Sequence, residues 1–325
     1  MENIKVDLVY TWVDGNDEEW KKKKTNLEKK LNKITKIEHD ANSKCRFKNN
    51  DELKYSLRSV EKYIPWINHI FIVTDNQKPD WLNTNHPKLT IIDHKEIIPK
   101  DCLPTFNSNT ILHCMVNIPN LSEYFLYSDD DMFFADSVNP EFFYTKEKRP
   151  ICRFTKPLFK LKESIYRSML YNAANLLKNK NYKFKEFSPH HNIDAYRKSI
   201  IKSCQNEFQE ISTTLNNHFR TQDDIERIIY QYYAVATKRG IYKRVSKFDT
   251  FQPLYKRIYN YFAKNYSKDS QYFTCYSDNI YGLMSKYKLK LFCINDIEIL
   301  DEELEKQDTK KILSNLFPDK STYEL

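Results

Sequence analysis

Glycine is almost missing from this chain: Gly15, Gly240 and Gly282 serve 325 residues. Neither a P-loop nor a G-x-G-x-x-G turn can be written with three such scattered positions, so a glycine-rich phosphate cradle is excluded. Any phosphate met here must be held by side chains or by a metal ion. Long hydrophobic runs are missing as well, and stretches such as Ile70–Val73 are far too short to span a bilayer. Met1 is followed by Glu2, Lys5 and a strand-like run, without a secretory hydrophobic segment or cleavage site, so a cytoplasmic location is expected. The seven cysteines are odd in number, widely scattered and without a C-x-x-C pair. That argues against a disulfide framework and against a zinc site, leaving buried thiols in a reducing compartment as the expectation.

Apolar residues make up 40% of the chain and aromatics 14%, ample for a packed core. The length suits one large domain or two ordinary ones. The net charge of +8 is concentrated: Lys21 to Lys48 holds eleven Lys/Arg against Glu28, Glu38 and Asp40, or 11 − 3 = +8. Such a segment is either a solvated helix face or a patch for an anionic surface. Peripheral membrane association through Lys21–Lys48 is compatible with it, whereas nucleic-acid binding is not expected.

The most telling stretch is Tyr124-Phe-Leu-Tyr-Ser-Asp129-Asp130-Asp131, three consecutive carboxylates after an apolar strand-like segment. Adjacent anions repel, and a divalent cation shared with a phosphate-bearing ligand is the usual reason to keep them together. A solvated acidic turn is the bland alternative. The flanks favour the metal, because open α/β sheets bind ligands at the carboxyl ends of their strands.

Val6–Val13 reads as a first strand closed by Asp14-Gly15-Asn16-Asp17, and Glu52–Ile64 as a helix with Leu53, Leu57, Val60 and Ile64 on one face. His69–Asp75, Leu89–Asp93 and Tyr124–Tyr127 supply further strands. Helical patterns follow at Asp194–Ile211 and at Asp223–Arg239, the latter with Asp223 as N-cap, Glu226 completing a capping box and Gly240 as stop. Leu289–Asp296 returns to strand. Strands interleaved with helical patterns make the expected fold class α/β, a mainly parallel sheet with a helical insertion. The tandem Asp residues after a core strand resemble those of nucleotide-sugar transferases of the GT-A type, which implies a GT-A/Rossmann-like sheet. The expected division is an α/β nucleotide-sugar core (1–159), a helical insertion (160–244) and a C-terminal segment completing the core (245–325).

Four ordered segments resemble the Stealth family of sugar-1-phosphate transferases, which includes bacterial capsule polymerases and the lysosomal-enzyme GlcNAc-1-phosphotransferase. They are Asp7–Gly15; Arg46 through Asn50–Trp66, Ile72–Asp75 and Leu103–Ser108 to the Asp triplet; His191–Ser199 with Phe219-Arg220 and Asp223–Ile225; and Phe292–Asp296. Two positions depart from the family pattern: Asp129 stands where Asn is common, and Ile193 where proline usually follows the histidine.

The resemblance implies transfer of a hexose- or HexNAc-1-phosphate from a UDP-sugar to a hydroxyl of a glycan or lipid-linked glycan acceptor. UMP would be released, in capsule or cell-wall polysaccharide synthesis. The alternative is a conventional GT-A glycosyltransferase releasing UDP. Attack at phosphorus needs neutralised phosphoryl oxygens, an aligned nucleophile and a base. The candidates carried by the resemblance are Asp7, Asp130, His191 as general base (with His190 as its neighbouring rival) and Arg220 as phosphoryl clamp. Asp129, Asp130 and Asp131 are the candidates for Mg²⁺ or Mn²⁺. Tyr10, Trp12, Asp14, Arg58, Asn107, Asn295 and Asp296 are candidate substrate contacts.

Overall fold

β1 (Val6–Thr11) runs through the middle of a five-stranded sheet of order β3-β2-β1-β4-β8. Its neighbours β2 (Ile70–Thr74) and β4 (Tyr124–Asp129) pair with it in parallel, and β3 (Leu89–Asp93) extends the parallel run. The edge strand β8 (Asp194–Arg197) is antiparallel to β4. The computed structural model describes residues 4–31, 47–158, 164–245, 269–277, 279–297 and 306–325.

Strand periodicity sorts the side chains onto two covered faces. Val9, Phe71, Val73, Phe125 and Tyr127 join one core with α4 (Ser108–Cys114), α6 (Lys198–Glu207) and α7 (Ile228–Ala236). Leu8, Tyr10, Ile70, Ile72 and Leu126 join the other with α2 (Glu52–Tyr63). The short helix α3 (His94–Ile97) follows β3, and α5 (Ile165–Asn179) packs on α7.

After the Asp triplet the chain re-enters as β5 (Met132–Phe134), antiparallel to β11 (Leu291–Asn295), which is parallel to β10 (Ser270–Thr274). A further sheet joins β6 (Ile151–Pro157) to β7 (Phe187–Pro189) and β9 (Ile241–Arg244). The C-terminal residues thus lie directly beside the aspartates, 160 positions away in sequence.

Helices dominate 164–245 as expected, but this stretch also supplies β7, β8 and β9. The helix expected over Asp194–Ile211 starts only at Lys198, because Asp194–Arg197 is extended against the otherwise open edge of β4. The second helix starts at Ile228, not at Asp223. Asp224 explains this: its carboxylate accepts from the Thr221 amide and from Asn107 and Asn217, closing a turn that outcompetes helix initiation.

α1 (Glu18–Leu31) carries the lysine run and anchors through Trp20 and Leu27 on Phe106 and Phe219. Lys21 and Lys22 pair with Glu18 and Glu19, Lys23 with Asp75 and Lys24 with Glu28, so this part of the basic segment is largely self-neutralised. Residues 32–46, including Arg46 and Cys45, lie outside the described residues. At Gly15 the backbone leaves no room for a side chain: a Cβ would meet the Phe47 carbonyl oxygen at 2.2 Å. The Gly15 amide donates to that carbonyl, tying the first turn to the approach of α2.

Candidate active site

A cavity of about 400 Å³ opens at the carboxyl end of β4. Asp129, His191, Arg220 and Asn295 line it together, joined by Tyr127, Glu226, Arg227 and Tyr272. Residues from five distant segments therefore converge at the sheet end where ligands are expected.

Asp129 sits at the last position of β4, facing Thr11 across the sheet. Thr11 donates to its Oδ1 at 3.3 Å, and the Tyr127 hydroxyl makes a short bond to the same oxygen. Burial, then the Asp129 charge, raises the Tyr127 phenol well above its ordinary range, so it stays a donor.

Asp131 Oδ2 accepts from Asn295 at 3.1 Å and from the Cys293 thiol at 3.3 Å, whereas its Oδ1 is buried without a hydrogen-bond partner. Burial first, then Asp129, pushes its carboxyl up to about 7. Asp130 is raised well above the usual carboxylate range by burial, then by Glu52, Asp131 and Asp129. Glu52, in the first turn of α2, is raised by its own burial. Four acids thus crowd one place at an electrostatic cost, and a divalent cation relieves such crowding. Asp131, His191 and Cys293 bring one possible ligand atom each within 4.8 Å of one another. The carboxylates suit Mg²⁺ or Mn²⁺; the thiol does not.

His191 adopts the left-handed backbone region at φ 43°, which turns its ring into the cavity. Its Nε2 accepts from the Asn295 amide at 3.4 Å, so Asn295 bridges His191 and Asp131. His190 points the other way: buried, its Nδ1 meets Ser270 Oγ and its Nε2 meets Asp194 Oδ1, both at 2.9 Å. Asp194 also takes a short ion pair from Arg227. Burial alone would raise the Asp194 carboxyl, but Arg227 and His190 hold it well below the usual range.

Arg220 donates to Ser108 Oγ at the start of α4, 3.0 Å from Nε. Burial lowers its pKa, opposed by Asp129 and Glu226. Arg227 lies over the Tyr127 ring at 4.9 Å and donates to the Tyr196 hydroxyl at 2.9 Å. Two guanidinium groups therefore line the same cavity as Asp129 and Glu226.

Two family models match this chain in order: Stealth protein CR1, conserved region 1, over residues 5–32, and Stealth protein CR2, conserved region 2, over residues 46–152. The chain belongs to the Stealth family. Among its Stealth relatives, the capsular polysaccharide phosphotransferase WcwK of Streptococcus pneumoniae is 29% identical, with 99% of each chain covered. The exopolysaccharide phosphotransferase cps2G of Lactiplantibacillus plantarum is 28% identical, covering 98% of this chain and 96% of the relative. The capsular polysaccharide phosphotransferase cps1A of Actinobacillus pleuropneumoniae is 38% identical over 69% of this chain and 63% of its own length. Among solved structures, the galactosyltransferase LgtC matches at TM-score 0.45 and 11% identity over 98% of this chain and 97% of that one, a likeness too loose to support a functional reading.

Several candidates from the Stealth signatures stand apart from the cavity. Asp7 is at the amino end of β1, the opposite end from Asp129, and both its oxygens are taken, by Asn68 at 2.7 Å and the Ser122 amide at 2.7 Å. A catalytic part for Asp7 is therefore corrected to a tie between loops under the sheet. Arg58 grips Glu324 through two bonds of 2.8 and 2.7 Å and donates to the Phe317 carbonyl, so it fastens the C-terminal segment and does not line the cavity. Tyr10 and Trp12 are buried in the core under α2, the Tyr10 hydroxyl bonded to Ser56 at 2.7 Å. Asp14 caps its own turn, accepting from the Asn16 amide at 2.8 Å. Asn107, fully buried, caps α4 and donates to Asp224 at 2.7 Å and the Asn217 carbonyl at 3.1 Å. It holds the turn that carries Arg220 and does not itself line the cavity. Asp296 is engaged by Lys48 at 3.1 Å and Lys306 at 2.5 Å.

Sequence reasoning missed Arg227, Glu226, Tyr127, Tyr272, Cys293 and Glu52. Glu226 and Arg227 lie within the stretch read as a helix, Glu226 as part of its capping box, six and seven residues from Arg220. Among the described residues, no helix is long and apolar enough to cross a membrane.

Proposed function

We propose that this chain transfers a hexose-1-phosphate or HexNAc-1-phosphate from a UDP-sugar to a sugar hydroxyl, releasing UMP, in capsule or exopolysaccharide synthesis. The acceptor is a glycan or a lipid-linked glycan. Relatives matched over nearly their whole length carry the name polysaccharide phosphotransferase, which supports the class of reaction. The observation that carries the reading is the convergence of Asp129, His191, Arg220 and Asn295 on one cavity.

The chemistry forms a bond from the acceptor oxygen to the β-phosphorus and breaks the bond from that phosphorus to UMP. Arg220 binds the equatorial phosphoryl oxygens, where its planar fork of donors is most useful. His191 takes the acceptor's proton at Nε2, the atom that now accepts from Asn295. Asn295 orients the ring, and Tyr127 and Thr11 fix the Asp129 carboxylate. Asp129, Asp130 and Asp131 would hold Mg²⁺ or Mn²⁺, which when bound neutralises the diphosphate.

The test is incubation with a panel of UDP-sugars, Mg²⁺ and oligosaccharide acceptors, with the nucleotide product separated by chromatography. UMP formed in step with acceptor modification is expected. UDP without UMP would instead establish a conventional glycosyltransferase and overturn the proposal.

A further inference from the structure

We propose that Asp131, His191 and Cys293 form a zinc site, and that zinc bound there competes with the divalent cation of the reaction. The site itself is independent of the function proposed above; only the competition rests on that reading. Sequence spacing gives no hint of it, since the three residues lie 60 and 102 positions apart with no paired cysteines.

The donor set is a carboxylate oxygen, an imidazole nitrogen and a thiol sulfur, all within 4.8 Å of one another. Nitrogen and sulfur donors select zinc over magnesium, and zinc stands far above magnesium in affinity for such mixed sites. Two packed strands fix the geometry. β5 and β11 place Cys293 opposite Met132, next to Asp131, and Asn295 follows on the same face of β11. Asn295 then donates to both Asp131 Oδ2 and His191 Nε2, holding those two atoms toward each other. A second observation points to a ligand: Asp131 Oδ1 is buried without a hydrogen-bond partner.

Tetrahedral zinc bonds of about 2.3 Å to sulfur and about 2.0 Å to nitrogen need the donors near 3.5 Å apart, so side-chain rotations of about an ångström suffice. On binding, the Cys293 proton leaves to solvent, and the thiolate exchanges its hydrogen bond to Asp131 for a bond to zinc. Three protein ligands leave a fourth position for water or a phosphate oxygen, as in open rather than structural zinc sites. Zinc so held removes His191 and Asp131 from any other task.

The test uses the full chain stripped with chelator and titrated with Co²⁺ as a coloured zinc surrogate. Wild type is expected to show a thiolate-to-cobalt charge-transfer band in the near ultraviolet, abolished by added Zn²⁺. Cys293→Ser removes the band while its hydroxyl keeps a donor beside Asp131, and Asp131→Asn weakens cobalt binding by about tenfold or more. Cys275→Ser, whose sulfur faces Asp296, retains the band. In the UMP-release assay, zinc inhibition is relieved by raising Mg²⁺. A Co²⁺ titration without the band, or a band undiminished in folded Cys293→Ser, would overturn the site. Loss of UMP release alone would strike the proposed reaction, not the zinc site.

Discussion

Replacing Asp194 by Asn should destabilise the protein by about 3 kcal/mol, because it strips the main counter-charge from a buried arginine. Asp194 is 2% exposed and Arg227 5%, and they form a short ion pair beneath the cavity. The asparagine keeps the shape and one acceptor for His190, so packing is preserved while the charge is lost. Removing one partner of a buried pair costs about 3–5 kcal/mol. The lower end applies here, since Glu226 stays 3.8 Å from Arg227 Nε and the Tyr196 hydroxyl still accepts from Nη1.

A double-mutant cycle separates this from simple packing loss. Arg227→Met alone leaves Asp194 with His190 as its remaining partner, at a cost of about 2–3 kcal/mol. In the double variant neither charge is stranded, so its cost should fall about 2–3 kcal/mol short of the sum of the singles. Urea unfolding followed by circular dichroism measures all four proteins, with an unchanged m-value as the condition for comparison. Additive singles, or an Asp194→Asn loss under about 1 kcal/mol, would refute the reasoning. Arg227 also lines the cavity, so Arg227→Met should weaken donor binding beyond its stability effect, whereas Asp194→Asn should do so only through Arg227.

Arg220→Ala should lower turnover by about 10²–10³-fold with little change in the urea midpoint, because its partner Ser108 is a single hydroxyl at the cavity wall. A collapse of the folded state would make Arg220 structural instead. Arg58→Ala should cost about 2–4 kcal/mol through the lost grip on Glu324 and leave the donor KM unchanged, which kinetics and melting together check. His113 is held neutral by burial, its pKa pushed down to about 4 from 6.5, with Tyr230 and the Ile225 carbonyl on its ring nitrogens. Between those two values the unfolded chain binds the proton and the folded chain does not. Stability is therefore full above pH 6.5 and falls as pH drops toward 4, by up to about 3 kcal/mol for this group, and a His113→Gln profile should be flatter there. In chelator, Asp131→Asn should match or exceed wild-type stability because it relieves the crowded acids. The rise in melting temperature on adding Mg²⁺ should shrink in that variant; an undiminished rise would exclude Asp131 as a ligand.

Local pattern made the sheet legible and the site only partly so. β1, β2, β3 and β4 announce themselves as short apolar runs ending in polar groups, and α2 by its apolar spacing. β8 did not, because Asp194-Ala-Tyr-Arg gains its extended form from the open edge of β4, a tertiary partner that local propensity cannot supply. The helix at 228 was misplaced for a similar reason: one of the two shortest bonds to the Asp224 carboxylate comes from Asn107, more than a hundred residues away. For the site, the Asp triplet and His191 were readable as types of chemistry. Asp7 carried a family signature yet lies at the wrong end of its own strand, a fact that only the parallel register with β4 exposes. Cys293 and Asn295 became neighbours of Asp131 through the pairing of β5 with β11, which no spacing in the sequence predicts.

Under the proposed reaction, the charges around the cavity would make metal and donor bind together. Asp129, with Asp130, Asp131 and Glu52 crowded next to it, would repel a bare diphosphate, while Arg220 and Arg227, which line the same cavity as Asp129, would attract it. Either ligand alone would meet one favourable set of charges and one unfavourable one. A cation seated on the acids would neutralise them and leave the arginines free to attract the diphosphate. Asp129, tied by Thr11 and Tyr127 at the end of β4, adds one more acid to the group that a cation would neutralise.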